Sequence, residues 1–199
     1  MALLLARTWN QALLTMVIDE ARKVADTGGS YVGRTALQKI MYFLKVSGVP
    51  MGYHFDIHTF GPFCQEILSD AEVLMADDVI KDRSSIPDRY SNYGPSTTCD
   101  ELVGLFREKL DSFRQTVRTL VQTLVPLSPD RLELLATLDF AYRWIKASGG
   151  DGPWKDRVVS RFIEIKKEKF KRTDVEDTYD QMVNAVSYTH LTLPTNREV

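Results

Sequence analysis

The chain has 199 residues, 25 Lys+Arg against 27 Asp+Glu, and 44 % hydrophobic residues, an ordinary globular composition with a net charge of −2. Two cysteines, Cys64 and Cys99, exclude a disulfide scaffold and an all-cysteine zinc site, and they fit a reducing, cytoplasmic setting. No run approaches the roughly 18 apolar residues of a membrane helix, and residues 1–7 lack the basic start and the length of a signal peptide.

Trp9, Leu13, Val17, Ala21 and Val24 recur at helical spacing until Thr27-Gly28-Gly29-Ser30 stops the helix. Thr35 and Gln38 form a capping-box pattern ahead of an apolar stripe of Leu37, Ile40, Met41 and Leu44. Tyr53, Phe55 and Ile57 then alternate with His54, Asp56 and His58, as in a strand with one apolar face. Gly61-Pro62 is expected to open a third helix, with Ile67, Leu68, Leu74 and Met75 inward. Val79-Ile80 and Arg89-Tyr90 flank a polar stretch and suggest a hairpin.

Residues 92–98 read as a polar linker. Beyond it Leu102, Phe106, Leu110, Phe113, Val117, Leu120 and Leu124 form a nearly heptad seam, predicting one long helix. A helix restarts at Ser128-Pro129 and carries Leu134, Leu135, Leu138, Tyr142 and Ile145 before the glycine-rich stretch 149–153. Two more follow, near 154–165 and from the capping pattern Thr173…Glu176. The expected fold class is mainly α (α+β). A winged-helix-like N-terminal module with a small β-hairpin, residues 1–98, precedes a helical domain, residues 99–185.

Residues 186–195, Val-Ser-Tyr-Thr-His-Leu-Thr-Leu-Pro-Thr, resemble the translation of a transposase-type sequencing adapter. Index-dependent codons then give Asn196, Arg197 and Glu198, and the adapter's GTG TAG gives Val199 and a stop. Residues 186–199 are therefore expected to be a non-native tail, and His190 drops out of any site. Residues 1–98 carry 9 basic and 11 acidic side chains, and residues 99–185 carry 15 of each. Neither part has the basic excess of a dedicated nucleic-acid binder.

Gly33-Arg34-Thr35-Ala36-Leu37-Gln38-Lys39-Ile40-Met41-Tyr42, followed by Tyr53-His54-Phe55 and Phe60-Gly61-Pro62-Phe63, resembles the YwgA-like proteins. It is more distantly similar to the Panacea domain of SocA-like antitoxins. Leu132-Glu133-Leu134-Leu135 and Ile163-Glu164-Ile165-Lys166 extend the likeness over roughly residues 10–183. The resemblance implies a prokaryotic, phage- or toxin-associated protein that binds a protein partner such as a toxin or a protease. It points to Gln38, Lys39, Tyr42, Phe60, Gly61, Pro62 and Phe63, as a partner-binding groove or as packing between helix and turn. The family usually has Ser where this chain has Cys64.

Three further constellations carry chemistry. His54, Asp56 and His58 share a strand face, but same-face neighbours lie about 6.5–7 Å apart, awkward for one ion. A polar edge is the simpler reading, and no metal or other cofactor is expected. Cys64 falls in the expected first turn of the third helix, where the dipole lowers a thiol pKa. A nucleophile also needs a base and an oxyanion hole, and no such signature is legible, so no catalytic residue is expected. Lys166, Lys167, Lys169, Lys171 and Arg172 are the candidate nucleic-acid contact, set against a plain solvated helix end. A winged-helix transcriptional regulator is the alternative function. Its third helix would read the major groove, yet Glu66, Asp70, Glu72, Asp77 and Asp78 lie there with no Lys or Arg between 63 and 78.

Overall fold

Local chemistry sets both ends of the first helix. In the computed structural model, which describes residues 5–85, 90–149, 152–167 and 169–190, α1 runs Trp9–Gly28. Thr8 Oγ accepts from the Gln11 N–H at 3.2 Å, and Gln11 Oε1 accepts from the Thr8 N–H at 3.0 Å, a reciprocal cap. Gly29 closes the helix at φ +68°, a left-handed conformation that glycine adopts without strain. Every residue from Gln11 to Ile18 is buried, so α1 is a central helix rather than an amphipathic surface one.

The chain divides into two compact units, Met1–Ala136 and Thr137–Val199. The division falls inside a helix and not at the polar linker near residue 98. The reason is that the long seam beyond the linker packs back onto α1. That seam is two helices: α4 is Cys99–Leu105 and α5 is Arg107–Leu124, with a break at Phe106 (φ −123°, ψ 21°). Phe106 and Phe113 stand at 6.2 and 6.3 Å from the Trp9 ring, and Leu110, Val117 and Val121 are buried. Burying each such aliphatic side chain contributes about 1.5–3 kcal/mol.

The rest of the first unit is mainly helical, with α2 at Arg34–Val46, α3 at Gln65–Ala76 and the opening turns of α6, Pro129–Ala147. Two antiparallel hairpins complete it. In the first, β1 (Asp56–His58) pairs with β2 (Gly61–Phe63). In the second, β3 (Ile80–Asp82) pairs with β4 (Tyr93–Pro95). The second hairpin thus exists, but its returning strand lies beyond the expected Arg89-Tyr90 and takes in part of the supposed linker. Tyr93 is buried and its N–H donates to Val32 O at 2.9 Å, whereas Tyr90 is 63 % exposed. Arg89 lies outside the described residues.

The second unit holds the end of α6, α7 (Trp154–Lys166) and α8 (Arg172–His190). Val158, Val159, Phe162 and Val175 are buried where α7 packs on α8, and Lys155 Nζ reaches Asp180 Oδ2 at 2.6 Å. The helix start at Arg172 places Thr173 inside α8 rather than at its cap. Its backbone stays helical to His190, five residues into the adapter-like stretch, because Val186-Ser187-Tyr188-Thr189-His190 contains no Gly or Pro to stop a helix. Residues 191–199 lie outside the described residues. Among the described residues, no helix is long and apolar enough to cross a membrane.

Candidate functional site

The family-like residues meet at one place, where α2 faces the first hairpin. Gln38 and Lys39 are buried at 3 % and 1 % exposure. Gln38 Nε2 donates to Cys64 O at 2.8 Å, and its Oε1 accepts from the Cys64 N–H at 2.9 Å. Lys39 Nζ donates to Pro62 O at 2.7 Å. The backbone at 62 and 64 therefore finds its partners in α2 side chains, which keeps the segment extended. This is why Gly61-Pro62 does not open the third helix: Gly61, at φ +87°, starts β2, and α3 begins only at Gln65. The capping box expected at Thr35 and Gln38 is absent for the same reason, since the N-cap is Gly33 and the Gln38 amide is committed to Cys64.

The hairpin presents what α2 holds. Register pairs Asp56 with Phe63, Ile57 with Pro62 and His58 with Gly61, leaving Thr59 and Phe60 at the tip. Phe60 is 63 % exposed, whereas Gly61 and Pro62 are buried and Phe63 is half-buried against His58, ring centroids 4.9 Å apart. Tyr42, also buried, meets Phe55 edge-on at 5.5 Å and Phe43 at 5.4 Å. Of the seven residues singled out, only Phe60 is well exposed and Phe63 partly so. The others hold the hairpin from behind.

The alternation along 53–58 runs as expected, with Tyr53 buried, Phe55 and Ile57 half-buried, and His54, Asp56 and His58 exposed. Only the last three positions of that stretch are strand. Among the described residues, no group of three or more His, Cys, Asp or Glu side chains is placed to hold a metal ion.

Cys64 precedes α3 rather than lying in its first turn, and its surroundings act against activation. Burial and the Sγ–H donated to Glu66 Oε2 at 2.9 Å push the thiol up to about 11. The acidic run of α3 also differs from its linear reading. Asp70 is occupied by the Tyr53 hydroxyl at 2.6 Å and by Gln11 Nε2 at 2.8 Å. Asp77 accepts the N–H groups of Leu5 and Ala6 at 2.6 and 2.7 Å, and Asp78 accepts from Ser96 Oγ at 2.6 Å. Three of the five carboxylates are thus turned to structural work, and Glu66 and Glu72 remain exposed.

In the second unit the basic cluster is not one patch. Lys166 ends α7 with 6 % exposure, Lys169 Nζ lies over the Phe170 ring at 5.3 Å, and Arg172 Nε pairs with Glu176 at 2.7 Å. Lys167 and Lys171 are exposed. A buried lysine and a paired arginine leave a weaker phosphate grip than five basic residues in seven suggested.

Sequence reading missed a groove at the start of α2. Gly33 and Arg34 stood out as the lead-in to a helix and as the head of the family-like run, and nothing in the linear pattern links them to Arg83, Tyr90 and Leu127, which line the same groove. No family model matches the chain, and no curated protein matches it.

Proposed function

We propose that the chain is a non-enzymatic protein-binding module acting in the cytoplasm, as its resemblance to YwgA-like proteins and SocA-like antitoxins implies. The carrying observation is the division of labour at the first hairpin. Two buried polar side chains, Gln38 and Lys39, fix the backbone of a turn whose tip is the exposed Phe60. A lone exposed aromatic is unremarkable by itself. One held on a preorganised hairpin is suited to anchor in a partner's pocket with little ordering cost. On this reading the helix–helix–hairpin–helix–hairpin order is a winged-helix-like scaffold used for protein contact. Phe60 and Phe63 touch the partner, and Gln38, Lys39, Tyr42, Gly61 and Pro62 position them. The partner class is a toxin or a protease encoded near this chain's gene.

The test is photo-crosslinking in cells that carry the neighbouring genes, with the reactive residue placed at position 60 and, as control, at the exposed Thr119. One protein adduct specific to position 60, lost on co-expression of excess unlabelled chain, supports the reading. A single enriched DNA motif bound tightly at physiological salt, with no adduct, overturns it in favour of a transcriptional regulator.

A further inference from the structure

The first hairpin has one closed edge and one open edge, and Pro62 shows which is which. Pro62 has no N–H, so Ile57 and Pro62 cannot be a mutually hydrogen-bonded antiparallel pair. Asp56–Phe63 and His58–Gly61 are therefore the hydrogen-bonded pairs, and the Ile57 N–H and C=O point away from β2. The outer edge of β2 is closed by α2: Lys39 Nζ donates to Pro62 O, and the Gln38 amide takes both backbone groups of Cys64. The outer edge of β1 has no such cover. Among the described residues, neither the N–H nor the C=O of Ile57 has a hydrogen-bond partner. The main neighbour of β1 is β2, whereas β2 also packs on α2. An edge strand with unpaired backbone groups is a template for another strand.

The residues along that edge are complementary to themselves. Antiparallel pairing of two β1 edges about a two-fold axis at Ile57 sets Ile57 opposite its own copy. The outward N–H and C=O groups then make that a hydrogen-bonded pair. Asp56 lies opposite the second copy's His58, and His58 opposite the second copy's Asp56. These are pairs of the closer, non-hydrogen-bonded kind, with about 4.5 Å between Cα atoms. Asp56 and His58 are both exposed, and Asp56 has no ion pair of its own among the described residues. Each carboxylate is thus free to accept from an imidazole across the seam. Slipping the register by two residues keeps the outward backbone groups paired but sets Asp56 on Asp56 or His58 on His58. Either slip loses the complementary contacts.

We propose that the chain self-associates through β1, as a two-fold dimer whose hairpins form a four-stranded antiparallel sheet in the order β2–β1–β1–β2. The two Phe60 tips then stand about 20 Å apart, at opposite ends of the seam, each with the second copy's His54 at the same end. Dimerisation is independent of the protein partner proposed for Phe60. The seam is short, so the dimer is weak, half-formed near about 100 µM chain.

The experiment is sedimentation velocity of the full chain between about 5 and 500 µM, where a monomer–dimer equilibrium is expected. Asp56→Lys sets an amine against the second copy's His58 and is expected to weaken association about tenfold. Its melting temperature should not change, because Asp56 is exposed. Asp56→His combined with His58→Asp exchanges the two groups and is expected to restore association to within about threefold of the unchanged chain. Ile57→Pro removes the outward N–H and is expected to abolish the dimer. Ile57→Cys is expected to give a covalent dimer on oxidation with diamide, since the paired Cα atoms lie about 5.5 Å apart. A chain that stays monomeric near the top of the range, or a dimer that Asp56→Lys leaves intact, would overturn the proposal. So would an exchanged variant as weak as Asp56→Lys, or an Ile57→Cys variant that gives no covalent dimer.

Discussion

Gln38 and Cys64, 26 positions apart, are joined through both faces of one amide: Nε2 donates to the Cys64 carbonyl and Oε1 accepts the Cys64 N–H. No other uncharged side chain of similar length supplies a donor and an acceptor in that arrangement. Gln38→Ala leaves two backbone groups unpaired in a buried site and is expected to cost about 2–3 kcal/mol. Gln38→Glu keeps the shape but sets a carboxylate oxygen against the Cys64 carbonyl, so it is expected to cost at least as much at neutral pH. Urea denaturation of both variants measures this; a loss below about 0.5 kcal/mol for either would mean the clasp is incidental.

Phe60 provides the opposite case. Its ring is mostly in solvent, so Phe60→Ala is expected to change stability by less than about 0.5 kcal/mol. Partner capture through the hairpin should nevertheless fall sharply. A variant that loses stability and partner together would show that Phe60 belongs to the fold and not to a contact surface.

How much of this was legible in the sequence depends on the distance over which the signal acts. The helices at Trp9, Arg34 and Pro129 follow from apolar spacing and from stop residues a few positions away. The break at Phe106 is not legible, because the seam runs through it and only Trp9, nearly a hundred positions earlier, shows why the two segments meet. Gly61-Pro62 looked like a helix start because local rules favour it. The Lys39 and Gln38 side chains, more than 20 residues upstream, decide the matter instead. The burial of Lys166 and the inward bonds of Asp70 and Asp77 were hidden for the same reason, since charge counted along a chain does not reveal which partners folding supplies.

Cys64 is expected to be inert in the folded protein. Its thiol is raised from the ordinary 9.0 to about 11, as is that of buried Cys99. About one thiol in a thousand is then ionised at pH 8. Iodoacetamide should label Cys64 slowly at that pH and quickly once the chain is unfolded. The folded state holds these protons more tightly than the unfolded one. The stabilisation is therefore complete below about pH 9 and is lost as pH rises toward 11. Rapid labelling of native Cys64 at pH 8 would reveal an activated thiol and reopen a catalytic role.

The contact between Phe113 and Trp9 offers a spectroscopic check on the α1–α5 packing. Phe113 is half-buried, so Phe113→Ala is expected to cost about 2 kcal/mol, below the 3–5 of a fully enclosed ring. Trp9 Nε1 donates to Pro50 O at 2.6 Å and Lys109 Nζ lies 4.0 Å from the ring centroid, so the indole keeps other partners. Its fluorescence should move to longer wavelength in the variant without unfolding. An unchanged spectrum together with unchanged stability would place α5 away from α1.

Glu20 ties the same two helices by charge. Its side chain is 6 % exposed and accepts from Arg118 Nε at 3.0 Å, Arg114 Nη1 at 3.2 Å and Lys23 Nζ at 3.4 Å. Burial raises its pKa, but the Arg118 hydrogen bond and the charges of Lys23 and Arg118 outweigh that and hold the carboxyl below its ordinary 4.5. A depressed folded-state pKa means the stabilisation is present above pH 4.5 and is lost as pH falls through the folded value. Arg118 is 47 % exposed, so solvent screens the pair. Its worth lies between that of a surface bridge and a buried one, and Glu20→Gln is expected to cost about 2 kcal/mol at pH 7. As pH falls from 7 toward 3 the stabilisation fades once the carboxyl passes its lowered folded-state value, so the gap between the two proteins should narrow. Denaturation curves at both pH values decide it: an equal gap at pH 7 and pH 3 would show that shape and hydrogen bonding, not charge, hold α1 to α5 at this point.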